Sequence, residues 1–456
     1  MIDSNTPAFL NDLQEVVNLF YDGQEFNIVH RFKKSEGKFV NTITIDGQTY
    51  AYGNFVGEIN SEMLEKRLTK RYAKLSLYKA LERKTGLSLP WGALTGIRPT
   101  KLAYDTIIEK GEFSSFFTDV MKVSEEKTQL ISSIINSQKN VYSKDDDNTD
   151  FFVFVPFCPS RCKYCSFICF DIKSAEKYVD EYVDTLVKEI EFSKRFIKNL
   201  RSIYIGGGTP VSLSNQNLIK ILEALKSINN GVEFTVEAGR PDCITKENLN
   251  ILQDFGVNRI CINPQTFCDE TLIRLNRNHT AKDVIDKFNL AKGRFSINMD
   301  LIAGLEGENF ETFKNTINST IALRPDNVTV HTLCVKRGSA LSLEKKFLEK
   351  GQIELMVDYA RNALSKNGYN PYYLYRQKYM AGNLENVGYS LPGKECVYNI
   401  DTMEEISSTV ACGANAISKM VINSKNQVNR YASPKDVITY LNKIDKIFEG
   451  KTELFK

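Results

Sequence analysis

The sequence lacks several features that would assign the protein to a common functional class. Its 456 residues include three histidines, and His30, His279 and His331 make no recognisable metal-ligand set. The net charge of +3 is too small to indicate a nucleic-acid or membrane surface. No apolar run approaches the roughly 20 residues that cross a bilayer. The first residues, MIDSNTPAFLNDL, have neither the basic start nor the apolar centre of a secretory signal.

The pattern of a disulfide framework is also missing. Six of the ten cysteines lie singly, several inside apolar runs, where a reduced buried thiol is the ordinary expectation. They are Cys243, Cys261, Cys268, Cys334, Cys396 and Cys412. The apolar share of 42% and the charged share of 25% are those of a soluble globular protein. Since the chain is too long for one ordinary core, we expect two or three domains.

Three other cysteines are grouped directly after the strand-like stretch 151–155. They are Cys158, Cys162 and Cys165. The spacing is C-x3-C-x2-C, with Tyr164 before the last cysteine, and three thiolates suit a four-iron cluster that keeps one iron open. A structural zinc site would need a fourth ligand, and Cys169 would complete a cramped set. The spacing favours the cluster. An oxygen-sensitive cluster and unpaired cysteines both indicate the cytoplasm.

The strand and helix patterns in residues 1–136 predict an N-terminal α+β module. The alternating stretches Asn27–Phe32, Lys38–Ile45 and Gln48–Phe55 predict a small antiparallel sheet, with a hairpin at Asp46-Gly47. A helix is predicted from Ser61 to Gly86. Its basic face predicts a solvated surface, with a docking surface for polyanions as the alternative. This face comprises Lys66, Arg67, Lys70, Arg71 and Lys74. The polar residues 137–150 predict a linker.

Between residues 151 and 340 apolar strands alternate with helices six times. The predicted strands are Phe151–Val155, Ser202–Ile205, Glu233–Glu237, Arg259–Ile262, Ser296–Leu301 and Asn327–His331, and the helices include Ser174–Phe196, Asn215–Lys226 and Thr245–Phe255. This alternation predicts an α/β fold with a parallel sheet, and six repeats in so short a stretch predict an open, partial (β/α)6 barrel. Functional groups gather at the carboxyl ends of such strands. Residues 341–456 predict a C-terminal α+β region.

The predicted strand ends carry candidate ligand-binding groups. The segment 206–210, GGGTP, lacks the spacing of a dinucleotide fold and the Gly-Lys-Ser/Thr of a P-loop, and its glycines allow close approach of a ligand to the backbone. Glu237 and Asp300 either cap the following helices or accept strong hydrogen bonds from ligand hydroxyl and ammonium groups. His331 ends the sixth strand and is interpreted as structural.

Taken together, these segments resemble the radical S-adenosylmethionine (SAM) enzymes and, among them, the oxygen-independent coproporphyrinogen III oxidase family. The matching segments are VPFCPSRCKYCSF, YIGGGTP, INPQTFCDETLIRLNR and INMDLIAGL. LPWGALTGIRPTKL, HTLCVKRGS and NVGYSLPGKECVYNI resemble the HemZ-type branch, so the resemblance spans nearly the whole chain. It implies a [4Fe–4S] cluster on the three grouped cysteines, with SAM at the open iron. The SAM contacts it implies are Phe152, Tyr164, Gly207, Gly208, Thr209, Glu237, Gln265, Arg277 and Asp300, with Ile417 near a further contact.

The resemblance implies an oxidoreductase of haem biosynthesis. In that family the reduced cluster cleaves SAM to a 5′-deoxyadenosyl radical, which abstracts hydrogen from a propionate side chain of coproporphyrinogen III. Loss of carbon dioxide, together with transfer of one electron to an acceptor, leaves a vinyl group, and two such rounds give protoporphyrinogen IX. A flavodoxin- or ferredoxin-type protein would supply the electron. The substrate carboxylates require arginine or lysine partners, and the candidates are Arg98, Lys101, Lys336, Arg337 and Arg376.

Two departures from the established oxidases leave alternatives open. Those enzymes carry a further cysteine two residues past the third cluster cysteine, where this chain has Phe167, and a tyrosine where it has Phe152. Both departures favour a haem-binding carrier that retains the cluster. Gln265 and Arg277, at the family's positions for a second SAM, favour the enzyme. Another radical SAM reaction on a tetrapyrrole, such as methylation with ring opening, and nucleic-acid modification through the basic helix are the remaining alternatives.

Overall fold

The structure, a computed structural model, describes most of the chain. The described residues are 2–20, 25–35, 37–59, 61–96, 98–166, 169–334, 350–377 and 384–456. Phe167, Lys336 and Arg337, which the sequence singled out, lie outside the described residues. The chain divides into two compact units, Met1–Ser132 and Ser133–Lys456.

The first unit combines a four-stranded sheet with helices. Its strands, in sheet order, are β1 (Ile2–Ser4), β2 (Ile28–Ser35), β3 (Lys38–Ile45) and β4 (Gln48–Phe55). Its helices are α1 (Leu10–Leu19), α2 (Glu62–Thr85) and α3 (Pro99–Lys110), and α4 (Glu125–Gln138) runs through the boundary between the units. The three strands predicted from the sequence are present as β2, β3 and β4, which make an antiparallel meander, and the predicted helix is α2.

Local sequence signals explain the ends of these elements. Asp46 and Gly47 have φ values of 49° and 84°, the positive values that a type I′ hairpin turn requires at both central residues. The Ser61 side chain caps α2 by accepting a hydrogen bond from the Leu64 backbone N–H. Gly86 ends the same helix in the left-handed conformation.

The basic face of α2 is partly paired within the first unit. Arg67 lies 3.7 Å from Glu109, and Lys70 lies 3.5 Å from Asp12. Exposed pairs of this kind contribute little to stability, but they reduce the positive charge that a polyanion would meet. The solvated-face interpretation is the one these contacts favour.

The second unit is built on an eleven-stranded sheet. Its strands in chain order are β5 (Asn148–Val155), β8 (Asn199–Gly207), β9 (Glu233–Gly239), β10 (Arg259–Ile262), β11 (Ser296–Ala303), β12 (Asn327–Thr332), β13 (Asn370–Tyr375), β14 (Asn386–Ser390), β15 (Ser408–Cys412), β16 (Ile417–Ile422) and β17 (Gln427–Ala432), while β6 (Phe157–Cys158) and β7 (Phe170–Asp171) form a separate pair. Its helices are α5 (Glu176–Ser193), α6 (Asn215–Lys226), α7 (Lys246–Asp254), α8 (Asp269–Arg274), α9 (Ala281–Ala291), α10 (Phe310–Leu323), α11 (Lys350–Lys366), α12 (Val397–Glu404), α13 (Val437–Asn442) and α14 (Ile444–Leu454).

The predicted partial barrel is confirmed. The strands β5, β8, β9, β10, β11 and β12 lie side by side in chain order and are all parallel. The sheet is open, and its edges among the described residues are β13 and β17. Strands after residue 341 extend it on both sides, because β15 pairs parallel with β5 and β14 pairs antiparallel with β12. The predicted division into domains remains a prediction.

The first barrel strand begins earlier than predicted. Asn148, Thr149 and Asp150 belong to β5 and are buried, although their polarity favoured the linker. Their partners are distant in sequence: Asn148 accepts a hydrogen bond from the Asn199 side chain at 2.8 Å, and Asp150 accepts one from Ser202 at 2.5 Å. Burial of polar groups is tolerated when such bonds satisfy them, and local sequence does not show those bonds.

Alternation along the barrel strands separates the core from the lumen. Val153, Ile203 and Val236 point outward into the apolar core beneath the helices. Residues of the opposite parity line the lumen, which is polar and aromatic: Phe152, Tyr204, Thr235, Glu237, Cys261, Asn298 and Asp300. Because side chains alternate with a period of two, each strand contributes to both surfaces. In the part of the chain that the structure describes, no helix combines the length and apolar character needed to span a membrane.

Candidate functional site

A cavity of about 580 Å³ opens from the carboxyl ends of the barrel strands into the lumen. All twelve predicted cluster and SAM residues line this cavity. They are Cys158, Cys162, Cys165, Phe152, Tyr164, Gly207, Gly208, Thr209, Glu237, Gln265, Arg277 and Asp300. Ile417, which the resemblance placed near a further contact, is 46% exposed on β16 and does not line it.

Backbone pairing shapes the loop that carries the three cysteines. The strand β6 pairs with β7, so the two ends of the loop lie side by side. The Phe170 N–H donates to the Pro156 carbonyl at 2.7 Å, and the Ile172 N–H donates to the Cys158 carbonyl at 2.9 Å. Within the loop the Cys165 N–H donates to the Cys162 carbonyl. The loop therefore folds back on itself and directs several cysteines into one cavity.

The glycine segment packs directly against the cysteine loop. A Cβ atom on Gly208 would lie 2.3 Å from the Phe157 carbonyl oxygen and 3.0 Å from Cys158 Sγ. Gly207 has a φ of 115° and would place a Cβ 2.8 Å from the Val155 carbonyl oxygen. The Thr209 hydroxyl donates to Cys158 Sγ at 3.6 Å. The sequence attributed these glycines to ligand approach; the structure adds that they allow the two loops to meet.

Arg277 connects the cysteine loop to the fourth strand. It is 5% exposed, and its Nη1 donates to the Tyr164 hydroxyl at 2.7 Å and to Cys162 Sγ at 3.8 Å. Its Nη2 donates to the Asn263 carbonyl at 2.6 Å. Arg277 thus places a buried positive charge beside a cysteine thiol of the predicted ligand set.

Several polar atoms of residues that line this cavity lack partners within the described residues, among them Gln265 Oε1 and Arg277 Nε. Gln265 is held in the left-handed region at φ 67° by backbone hydrogen bonds with Asp300 and Ile302, and its buried Oε1 accepts no hydrogen bond. The Nε of Arg277 is also buried without an acceptor. An unsatisfied buried polar group costs about 1–3 kcal/mol, and a strained non-glycine residue costs a similar amount. Both features indicate a polar ligand that completes the site.

The two carboxylates differ in charge. Burial is the main cause that raises the pKa of Glu237 to about 7, with a contribution from the nearby Asp300, although the Tyr204 hydroxyl donates to Glu237 at 2.6 Å. Burial also opposes ionisation of Asp300, but His331 and Asn298 outweigh it and lower the pKa of that carboxyl. At neutral pH Asp300 is therefore ionised, and Glu237 titrates.

Helix capping does not explain these carboxylates. The cap of α7, which follows Glu237 in sequence, is Thr245, and the cap of α10, which follows Asp300, is Asn309. His331, interpreted as structural from the sequence, also lines the cavity. Its Nε2 lies 3.8 Å from Asp300 Oδ1, and its Nδ1 lies 3.1 Å from the Tyr375 hydroxyl.

Sequence reasoning missed several residues of the cavity. Arg240 supports the cysteine loop by donating from Nη1 to the Ser160 hydroxyl at 2.7 Å, while its Nε and Nη2 bind Asp242. Tyr398 from α12 stacks on Tyr204 with ring centroids 4.3 Å apart and on Phe152 at 5.9 Å. Arg240 follows a predicted strand end and could have been found by that position. Tyr398 carries no local signal, since it reaches the lumen through a distant chain segment.

Among the predicted partners of substrate carboxylates, Arg376 is the one that belongs to the described part of the second unit. Arg98 and Lys101 belong to the first unit, and Arg376 is 3% exposed and does not line the cavity. The lining includes other guanidinium groups, of which Arg259 pairs with Glu233 at 3.2 Å.

The fold and this site define a radical SAM protein. A sequence model described as the Radical SAM superfamily matches residues 152–320. The chain is 33% identical to the oxygen-independent coproporphyrinogen-III oxidase-like protein HemZ of Bacillus subtilis, over 96% of this chain and 94% of that protein. It therefore belongs to the family of oxygen-independent coproporphyrinogen-III oxidase-like proteins, as the resemblance predicted.

The chain is also similar to a heme chaperone in sequence and to a solved oxidase in structure. The heme chaperone HemW of Bacillus subtilis is 35% identical over 45% of this chain and 54% of HemW. The solved structure of coproporphyrinogen III oxidase (HemN) from Escherichia coli matches with a TM-score of 0.55 and 21% identity, over 71% of this chain and 74% of that one. The latter likeness shows the fold.

The cofactors of the family are a [4Fe–4S] cluster and SAM, and the cavity fits them. Three cysteines in one loop supply thiolates, the usual cluster ligands, and their number leaves one iron open. The unpartnered Gln265 Oε1 and Arg277 Nε lie in the same cavity and suit a polar organic ligand.

Proposed function

We propose that this chain is a radical SAM enzyme that oxidatively decarboxylates the propionates of coproporphyrinogen III to vinyl groups. The observation that carries the proposal is the joint placement in one cavity of three cysteines, two carboxylates, and the side chains of Gln265 and Arg277, whose Oε1 and Nε atoms lack partners among the described residues. A pure carrier has no use for a buried, strained glutamine that awaits a polar ligand. The HemZ relative, named oxidase-like, spans nearly the whole chain and supports the same choice.

Each residue then has a specific task. Cys158, Cys162 and Cys165 hold the cluster, which supplies the electron that cleaves SAM when both are bound. Asp300 and Glu237 face the hydroxyl and cationic groups of SAM, because carboxylates accept strong hydrogen bonds from them. The tyrosine hydroxyl at 204 orients Glu237, and the Asn298 amide, at 2.8 Å, orients Asp300. These bonds hold the carboxylates in place before SAM arrives.

The remaining part of the cavity suits the tetrapyrrole. Tyr372, Tyr373 and Tyr375 from β13 line it opposite the cysteine loop and present rings to an apolar macrocycle. The hydroxyl of Tyr375 and the imidazole of His331 lie together there and can donate to a propionate carboxylate. The electron would come from a flavodoxin- or ferredoxin-type protein.

A haem-binding carrier is the second candidate. The observation that favours it is Phe152, whose ring stacks on Tyr398 and contributes no hydroxyl at a position where the oxidases have one. The similarity to heme chaperones over about half of the chain supports the same reading. In a carrier the aromatic wall would contact haem.

An anaerobic assay tests these alternatives. Cluster-reconstituted protein given dithionite, SAM and coproporphyrinogen III is expected to produce vinyl-bearing porphyrinogen together with 5′-deoxyadenosine. Mass spectrometry of the porphyrin products and chromatography of the nucleosides measure both. The matched control is the same mixture with Cys162→Ala protein. One-to-one haem binding with uncleaved SAM would establish the carrier instead, and 5′-deoxyadenosine without loss of carbon dioxide would indicate another tetrapyrrole reaction.

The pH dependence of SAM binding tests the role of Glu237. Its raised pKa of about 7 means that the carboxyl is mainly protonated below that pH, whereas a bound cation favours the ionised form and lowers the pKa. SAM binding should therefore release a proton, and affinity should rise about five- to tenfold between about pH 6 and about pH 7.5. Equilibrium binding measures this. Glu237→Gln should bind SAM more weakly and lose the extra slope; equal slopes in both proteins would remove Glu237 from the SAM site.

A further inference from the structure

A fourth cysteine lies against the predicted cluster ligands. Cys169 lines the same cavity, and its thiol lies next to the thiols of both Cys158 and Cys165. The backbone explains this position. Because Phe170 pairs with Phe157 in the β6–β7 ladder, the residue before Phe170 returns to the start of the cysteine loop. The contact is thus fixed by the strand pair that closes the loop.

The surroundings of Cys169 differ from those of an ordinary structural thiol. Structural cysteines are usually buried among apolar side chains, as Cys412 is within the barrel core. Cys169 is partly exposed, faces a ligand cavity and touches two sulfurs. Among the other partly exposed cysteines, Cys243 and Cys268 do not line this cavity, whereas Cys334 lines it from beyond the end of β12, outside the cysteine loop. Cys169 therefore has the position of a ligand.

An independent observation indicates that a polar ligand binds in the cavity besides a cluster. The buried Gln265 Oε1 and Arg277 Nε have no partner among the residues described, and both atoms belong to side chains that line the cavity. These atoms remain unsatisfied while only thiols occupy the site. A polar ligand that binds separately would complete them. We take this ligand to be SAM, so that Cys169 and SAM are two candidate ligands of the same open iron.

We propose that Cys169 is a reserve ligand, which binds the open iron while SAM is absent and is displaced when SAM binds. The inference rests on the proposed ligation of the cluster by Cys158, Cys162 and Cys165. Four thiolates form the complete protein ligand set of a [4Fe–4S] cluster. Binding of the Cys169 sulfur to iron releases the thiol proton, and its displacement by SAM takes the proton back. No electron is transferred in this exchange.

Two measurable consequences follow from the reserve ligand. Since SAM competes with Cys169, the apparent affinity for SAM equals the intrinsic affinity multiplied by the fraction of protein in which the open iron is not bound by Cys169. If that fraction is about one tenth, removal of the thiol strengthens SAM binding about tenfold. The reserve ligand also retains the fourth iron under mild oxidation, because a thiolate-bound iron dissociates less readily than one held by water.

The test compares full-length wild type, Cys169→Ala and Cys169→Ser, with Cys268→Ala as the matched control. All are reconstituted anaerobically, and iron content, paramagnetic resonance of the reduced cluster with and without SAM, SAM affinity and iron loss on mild ferricyanide oxidation are measured. Without SAM, the spectra of both Cys169 variants should differ from those of wild type and the control; with SAM, all four spectra should coincide. Cys169→Ala should bind SAM about tenfold more tightly and lose iron several times faster.

Two different failures can be separated. Identical spectra without SAM, together with unchanged iron loss, in proteins that hold a normal [4Fe–4S] cluster would overturn the reserve-ligand inference and leave the proposed function intact. A wild-type protein without such a cluster would overturn the proposed ligand set, and the inference with it. Retention of the cluster in Cys169→Ala is itself expected, since three cysteines remain.

Discussion

Cys162→Ala is expected to abolish SAM cleavage, with 5′-deoxyadenosine formation reduced at least about a thousandfold. Cys162 is the middle cysteine of the three predicted ligands in the sequence. It is buried, and its sulfur accepts a hydrogen bond from the Arg277 guanidinium. Removing it leaves two cysteines of the predicted set, too few to hold a [4Fe–4S] cluster with one open iron. Iron and sulfide analysis, visible absorption and nucleoside chromatography of anaerobically reconstituted protein measure the loss.

The control for this prediction is Cys268→Ala. Cys268 lies at the start of α8, outside the cavity, where its thiol donates to Glu270. This variant should match wild type in iron content and SAM cleavage. Circular dichroism should show both variants folded, since the cysteine loop contributes no helix. Cys162→Ala protein that is brown, with wild-type iron content, would exclude Cys162 from the ligand set.

Much of the barrel could be predicted because its signals are local. The predicted bounds of the strand Arg259–Ile262 are those of the structure. For the other five barrel strands, each predicted end lies within three residues of the observed end. An apolar run flanked by turn residues and helices leaves little freedom for a strand to begin elsewhere. The hairpin at Asp46-Gly47 and the caps Ser61 and Gly86 follow the same logic, since the residues that end these elements determine their own conformation.

Motifs predict part of the candidate site, but they miss residues that reach the cavity from distant segments of the chain. The glycine segment and the cysteine loop carry their signals in a few consecutive residues. Tyr398 does not, because its significance comes from what it contacts across the fold. Arg240 and Cys169 carry a positional signal, but only the structure shows what they contact. The predicted carboxylate partners show a related limit, because charge and position in sequence do not say which arginines reach a cavity. Arg376 does not line this one, and the other partners remain predictions.

The C-terminal strands show the same limit at the level of topology. Periodicity indicated an α+β region after residue 341, but not that β15 would pair with β5. Pairing between strands more than 250 residues apart depends on complementary edges, which a single sequence does not display. A buried polar network beside β15 also stabilises this region. Its two charged members, Glu189 and Lys451, each lie on an amphipathic helix.

Lys451 is the centre of that network. It lies on α14 with no exposed surface, and its Nζ is 2.8 Å from the Ser193 hydroxyl and 3.3 Å from Cys412 Sγ. The Nζ is also 2.8 Å from Glu189 Oε1, an ion pair without the alignment of a hydrogen bond. The network thereby joins α5, β15 and α14.

The other carboxylate oxygen of Glu189 is already satisfied. Glu189 Oε2 accepts hydrogen bonds from the Gly413 N–H at 2.7 Å and from the Tyr440 hydroxyl at 2.5 Å. These donors are neutral, so Lys451 supplies the positive charge that compensates the carboxylate. Gly413 itself packs on the Phe154 backbone, next to the cavity wall. Loss of the charge therefore affects the edge of the barrel beside the site.

Lys451→Met is expected to destabilise the barrel unit by about 3–5 kcal/mol, because it leaves the buried Glu189 carboxylate uncompensated. Urea unfolding followed by circular dichroism measures the change. The matched control is Lys446→Met on the exposed side of the same helix, which should change stability by less than about 0.5 kcal/mol. The double variant Lys451→Met with Glu189→Gln should recover a substantial part of the loss, since the amide needs no counter-charge and can still accept a hydrogen bond from Gly413 or Tyr440. A Lys451→Met protein within about 1 kcal/mol of wild type would show that the ion pair contributes little and that hydrogen bonds alone hold α14 to the barrel.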